Sequence, residues 1–228
     1  FTGYESDSID LLNMLTGPSD THLLGTDELG RDMFTRLAEG GRVSISVGLI
    51  ATLFKLCIGV LLGCIAGLYG GIVESVIMRI VDIIMCFPFF VIALCIAAIT
   101  GPSFHNTIFI IGILGWPGVC RIVRSQVLSL KNVEYVDAAR SLGLNQMEII
   151  FRHILPNASG PIIVYTTLSV ANAILMEASL SFLGLGIAMP QSSWGTILST
   201  AQNMQILQDC WWMWIPAGIL VLSTVLAI

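Results

Sequence analysis

The chain has 228 residues, 55% of them hydrophobic and 11% charged, with a formal net charge of -5. Its mean hydropathy of +0.87 excludes an ordinary soluble surface, for which roughly a quarter of residues would be charged, and places the chain in a bilayer. The acidic balance, with no basic stripe interleaved with aromatics, excludes nucleic-acid binding, and the absence of a G-x-x-x-x-G-K-S/T loop removes that route to binding ATP.

Residues 1–43 are acidic, with eight Asp/Glu against three Arg. Within them Thr26 is placed to cap a helix whose first turn holds Asp27 and Glu28, and whose apolar face is Leu29, Met33, Phe34 and Leu37. Such a helix is expected to lie on the outer membrane surface. Asp27 and Asp32 lack EF-hand spacing, and His22, His105 and His153 are far apart, so no metal site is expected.

Hydrocarbon-spanning helices need about 20 apolar residues, which predicts spans at roughly 44–69, 72–99, 108–128 and 160–185, with a fifth beginning near Trp211. About five spans are therefore expected, the chain ending inside the last. Gly59, Gly63 and Gly67 recur every four residues in the first span, a smooth face for close helix approach. Pro88 and Pro117 are positioned to kink the second and third. Four ionisable residues fall in or near the spans: Lys55, Arg79, Asp82 and Glu177. Arg79 and Asp82, three apart on a helix, are expected to pair. Lys55, Asp82 and Glu177 are candidates for a translocation path, because ionisable groups at membrane depth face protein or water rather than lipid. Five of the six cysteines sit in or at the ends of spans without metal or redox spacing and read as small core residues.

Arg121, Arg124, Lys131, Arg140 and Arg152 cluster around the third connection, whereas residues 100–107 and 186–210 hold no Lys or Arg. The 131–157 loop is therefore expected to be cytoplasmic and residues 1–43 outside. That loop is the most polar part of the membrane region. Asn132 is placed to cap a first helix with Glu134 and Asp137 near its start, and Gly143 to end it in a left-handed conformation. Asn145 and Glu148 form a capping-box pattern for a second helix, and Pro156 is expected to stop it. Two capped helices meeting at a glycine exceed what a plain connection needs and suggest a platform for a partner.

The run Asp137-Ala138-Ala139, three residues, Gly143, nine residues, then His153-Ile154-Leu155-Pro156 resembles the EAA loop of membrane subunits of binding-protein-dependent ATP-binding-cassette importers. HLLGTDELGRDMFTR (22–36), RIVDIIMCFPFF (79–90) and LMEASLSFLGLGIAMPQSSWGTIL (175–198) are similar to segments of the dipeptide, oligopeptide and nickel permease subfamily, C-type subunit. Three positions depart from the usual pattern: Asp137 where Glu is commonest, His153 where Ile or Val is, and Ala217 after Pro216 where Gly is. The resemblance implies an all-α polytopic transmembrane helical bundle of the type I importer permease kind, in a bacterial cytoplasmic (inner) membrane. It divides the chain into an extracytoplasmic segment 1–43 and a permease domain 44–228 with coupling loop 131–157. It further implies an earlier span, since residue 1 is Phe rather than Met and an outside start in this family follows one.

By the same resemblance, Asp137, Ala138, Ala139, Gly143, Leu144, Glu148, His153, Leu155 and Pro156 are expected to engage an ATPase. The expected partners are a second homologous permease, two ATPase subunits, an extracytoplasmic solute-binding protein and the lipid bilayer. ATP and magnesium are expected on the ATPases and no cofactor on this chain, which is then no enzyme. Peptides, or a related small solute such as nickel, are the expected cargo. Ion-coupled secondary transport through Asp82 or Glu177 is the alternative, without an evident inverted repeat to support it. A purely structural membrane scaffold is the third reading.

Overall fold

The first long helix, α1, runs from Met33 to Tyr69 over 37 residues, about 55 Å at 1.5 Å per residue and well beyond a hydrocarbon core of about 30 Å. The computed structural model describes residues 3–188 and 190–228. Among these, the elements are helical apart from an antiparallel bridge between Thr26 and Asp32. The separate surface helix expected from Thr26 does not form. Instead, one Asp27 oxygen accepts from the backbone N–H groups of Leu29 and Arg31, both at 2.9 Å, and Gly25 and Gly30 take positive φ values of 69° and 72°. This local turn outcompetes helix initiation. Asp32 caps the helix instead, its Oδ2 accepting from the Thr35 N–H at 2.9 Å. Met33 and Leu37 consequently belong to α1 and are buried against Ile174, Trp194 and Met213 rather than lying on a membrane surface. Position 43/44, expected as a boundary, falls inside α1.

The expected span 72–99 is broken into α2 (Gly71–Cys86) and α3 (Phe89–Thr100), bent by 83°. Pro88 explains the break. The residue before a proline is driven out of the helical region, and Phe87 sits at φ -96°, ψ 142°. By contrast α4 (Phe104–Leu130) continues through Pro117. A polar segment holds α5 (Glu134–Ser141) and α6 (Gln146–Ile149), and α7 covers Leu155–Phe182. Short helices α8 (Trp194–Leu198) and α9 (Met204–Asp209) precede α10 (Trp211–Ala227). Three stretches are long and apolar enough to cross a membrane, and the bent pair makes a fourth if it is one span. The expected fifth is α10, apolar but only 17 residues long.

Two compact units share these helices: residues 1–50, 94–110 and 170–228 in one, and 51–93 and 111–169 in the other. The first is centred on Met33, Ile174, Trp194, Ile197, Ile206 and Met213. In the second, the glycine stripe of α1 lies on a valine stripe of α4. A Cβ at Gly63 would meet Val123 Cβ at 2.7 Å, one at Gly67 would meet Val127 Cβ at 2.7 Å, and Gly59 lies against Val119 in the same way. The partner numbers climb together, so the paired stretches run in the same direction. Lys131 Nζ, just past α4, reaches the Gly67 carbonyl at 3.1 Å, so both helices end on the same side.

Gly63→Ala should therefore lower the thermal stability of the detergent-solubilised protein despite alanine's better helix propensity, overpacking costing about 1–3 kcal/mol. Adding Val123→Ala should recover part of the loss. Equal melting temperatures for wild type and Gly63→Ala would contradict this packing.

Candidate functional site

The α5–α6 segment is built from local capping. Val133, not Asn132, precedes α5, and its carbonyl accepts from the N–H groups of Val136 at 2.8 Å and Asp137 at 3.2 Å without any side-chain cap. Gly143 ends the helix at φ +83°, as its position suggests, and Leu144 N–H reaches back to the Ala139 carbonyl at 3.3 Å. Asn145 and Glu148 make the full capping box, Asn145 Oδ1 accepting from Glu148 N–H at 2.9 Å and Glu148 Oε2 from Asn145 N–H at 3.2 Å.

Pro156 does not end the helical course. A π-helical turn at Ile150–Ile154 joins α6 to α7, with Leu155 N–H bonded five residues back to Ile150. This wider turn gives the proline ring room beside the preceding carbonyls, and Gln146–Phe182 is one continuous helical stretch. Asn157 Nδ2 donates to the His153 carbonyl at 2.6 Å, adding a side-chain bond beside the proline.

One face of this segment is welded to the spans. Val136, Ala139, Ile149, Ile150 and Ile154 are buried in a single apolar cluster with Cys64 of α1 and Val119, Val123 and Val127 of α4, and Leu144 and Leu155 pack against it. Of the residues expected to couple, Ala139, Leu144 and Leu155 therefore face inward. Asp137, Ala138, Gly143 and Pro156 are exposed, and Glu148 and His153 are half-buried. Asp137 pairs with Arg140 at 2.9 Å on the surface, where such a pair contributes little stability. The outer face carries apolar residues that sequence reading passed over: Leu142 is 81% exposed and Phe151 61%, with Tyr135 and Met147 beside them in the exposed class. Their signal was present in the spacings 135, 138, 142 and 147, 151, opposite the buried positions.

The path candidates each have their own partners. Glu177 is fully buried and accepts hydrogen bonds from Ser44 Oγ and Ser181 Oγ, both at 2.7 Å. Ser44 Oγ in turn accepts from the Trp194 N–H at 3.1 Å, so the carboxylate ties α1, α7 and the start of α8 together. Lys55, in the other unit, is buried and donates to the Ser169 carbonyl at 3.0 Å. Asp82 pairs not with Arg79 but with Arg121 of α4 at 2.5 Å, and one turn on, Arg124 pairs with Glu74. Neighbouring α4 offers a cation to Asp82, whereas Arg79 is exposed. A cavity of about 330 Å³ in this unit lies at the α2–α3 break, lined by Met85, Phe87, Phe89, Pro117 and Tyr165 among others.

Residues 59–228 match the family described as binding-protein-dependent transport system inner membrane component. The chain belongs to this family. It is a multi-pass permease of the bacterial inner membrane, acting in an ATP-binding-cassette importer, and its long apolar helices are spans. It is 44% identical over 214 residues to the dipeptide transport system permease protein DppC of Alkalihalophilus pseudofirmus, covering 94% of this chain and 70% of that one. To the oligopeptide transport system permease protein OppC of Bacillus subtilis it is 40% identical over 223 residues, covering 98% and 73%. An inward-facing structure of the MetNI methionine ABC transporter superposes with a TM-score of 0.71 over 86% of this chain and 92% of that one. At 17% identity that likeness shows the fold alone.

The Glu177 network of this permease is testable. Glu177→Ala leaves two buried hydroxyls without their acceptor and should lower stability by about 2–4 kcal/mol, whereas Glu177→Gln, keeping one acceptor, should cost about half as much. Thermal unfolding of the two variants in detergent checks the ranking, and a wild-type melting temperature for Glu177→Ala would contradict it.

Proposed function

We propose that the chain imports peptides as one of two paired, homologous permeases, driven by two ATPase subunits that bind ATP and magnesium and fed by an extracytoplasmic solute-binding protein. On this reading residues 131–157 face the cytoplasm, where the Lys and Arg residues concentrate, residues 1–43 face outward, and the chain itself hydrolyses no ATP. The peptide cargo is supported by the names of the dipeptide and oligopeptide relatives.

One observation carries the coupling role. The α5–α6 segment buries one face in the cluster that holds α1, α4 and α7 together, yet leaves Tyr135, Leu142, Met147 and Phe151 uncovered on the other. Large apolar side chains on a polar segment mark an interface, and the buried face makes the segment a rigid handle on the spans. ATP-driven closure of the ATPases then moves the handle, and the attached helices switch between inward-facing and outward-facing packings. Ion coupling finds no comparable support, since Asp82 is half-exposed against Arg121 and both Glu177 oxygens accept from serines.

Two variants test the handle. Leu142→Asp should abolish co-purification of the ATPases while leaving the spans folded, because a charge would be buried unpaired at the interface. Gly143→Val has open space around it but forces a β-branched residue to φ +83°, costing about 1–2 kcal/mol and changing the angle between the two helices. Its ATPases should bind more weakly or hydrolyse ATP without peptide uptake in reconstituted vesicles. Normal co-purification and normal peptide-stimulated hydrolysis in both variants would remove the segment from this role.

A further inference from the structure

The unit formed by residues 1–50, 94–110 and 170–228 contains a cavity of about 570 Å³, within the roughly 300–1,000 Å³ usual for small-molecule sites. Its wall includes Arg31 and Arg36, two cations that are only 7% and 5% exposed. Both lean on one carboxylate oxygen: Asp27 Oδ2 lies 2.7 Å from Arg31 Nε and 3.5 Å from Arg36 Nε. The other Asp27 oxygen is occupied by the backbone N–H groups of Leu29 and Arg31. Arg36 Nη1 reaches the Ser6 carbonyl only at 3.5 Å.

The outer nitrogens of these forks have work left to do. The Arg31 guanidinium bonds through Nε alone among the described residues, neither arginine holds a fully enclosed unpaired nitrogen, and both line the cavity. Asp27 is the one carboxylate that either guanidinium pairs with; Asp32, also buried, is taken up by His22 and by the N–H and hydroxyl of Thr35. Asp7 and Glu39, within electrostatic reach of Arg36, are exposed, as is Glu28 on the cavity wall, and water screens them. Elsewhere the lining is uncharged: the Ser199 and Thr200 hydroxyls donate to the carbonyls of Thr196 and Ile197 and keep oxygen lone pairs to accept with, and Ile206 and Met213 supply apolar surface. A guanidinium fork open to a cavity fits a planar two-oxygen anion.

We propose that this cavity receives the carboxylate of a peptide solute, with Arg31 and Arg36 donating to its oxygens and the Ser199 and Thr200 hydroxyl oxygens accepting from its backbone N–H groups. The inference rests on the peptide-importer reading and on the outward placement of residues 1–43. A peptide released by the binding protein would then be held by its acidic end before it enters the spans.

The test uses the full transporter in vesicles, with the binding protein present, and compares dialanine and trialanine with their C-terminal amides. Binding-protein affinities for each ligand are measured separately and divided out. Wild type should prefer the free acid in uptake KM by roughly tenfold or more, the range expected for a lost charge-assisted hydrogen bond. Arg31→Gln should bring that preference close to unity, and Arg31→Lys, which keeps the charge but not the fork, should fall between. An undiminished preference in an Arg31→Gln transporter that still co-purifies with its ATPases would overturn the assignment while leaving peptide import intact. Wild-type transporter that takes up neither peptide form would instead overturn the peptide reading and this proposal with it. Should Arg31→Gln fail to assemble, the wild-type complex without binding protein decides the matter. N-acetyl-dialanine should raise its melting temperature more than the corresponding amide, and equal shifts would overturn the proposal.

Discussion

The lever proposed for this permease depends on the apolar cluster that fuses α5, α6 and the π-helical turn to the spans. Val136, Ala139, Ile149, Ile150 and Ile154 share one core with Val119, Val123 and Val127, and those same valines seat the glycine stripe of α1. A displacement of the short helices is therefore a displacement of α1, α4 and α7 in this unit. Close-packed interiors transmit force because they have no slack to absorb it, and glycine at every fourth position brings the helices close enough for such packing. Continuity of α6 into α7 through the π-helical turn adds a covalent route to the mechanical one.

Buried polar groups serve as bolts. Glu177, Ser44, Ser181 and the Trp194 N–H form one satisfied network in the first unit, while Asp27 and Asp32 organise the turn before α1, Asp32 holding His22 Nδ1 at 3.0 Å with one oxygen and capping the helix with the other. In the second unit the ion pairs that cross between α2 and α4 are more open to the surroundings, Glu74–Arg124 half-buried and Asp82–Arg121 exposed. Each buried group has one geometry that satisfies it, which favours a few discrete packings over continuous deformation. A transporter that alternates between two states requires this behaviour.

Much of the architecture was legible in the residues because its causes are local. Asn145 with Glu148, the left-handed Gly143 and the glycine stripe are short-range patterns that tertiary contacts left alone. Misreadings arose where a distant or alternative partner intervened. Thr26 looked like a cap, but its hydroxyl donates to the Asn13 carbonyl at 2.5 Å and Asp27 closes a turn instead. Asp82 had a cation three residues away, yet Arg121 on another helix took it. Pro156 read as a stop because a π-helical turn leaves no simple mark in sequence. The cavity arginines were visible only as two positive charges in an acidic segment; that they share one buried carboxylate is a property of the folded turn.

Rigid attachment of the α5–α6 segment is most directly tested by a distance inside the second unit, between spin labels at Ser129→Cys and Ser141→Cys, both exposed positions. With the exposed native cysteines replaced, pulsed electron-electron resonance is recorded on the assembled transporter without nucleotide and with ATP trapped. A welded segment gives one narrow distance distribution that is unchanged between the two conditions. A nucleotide-dependent shift or broadening of that distance would show that α5 moves independently of α4 and would contradict the lever.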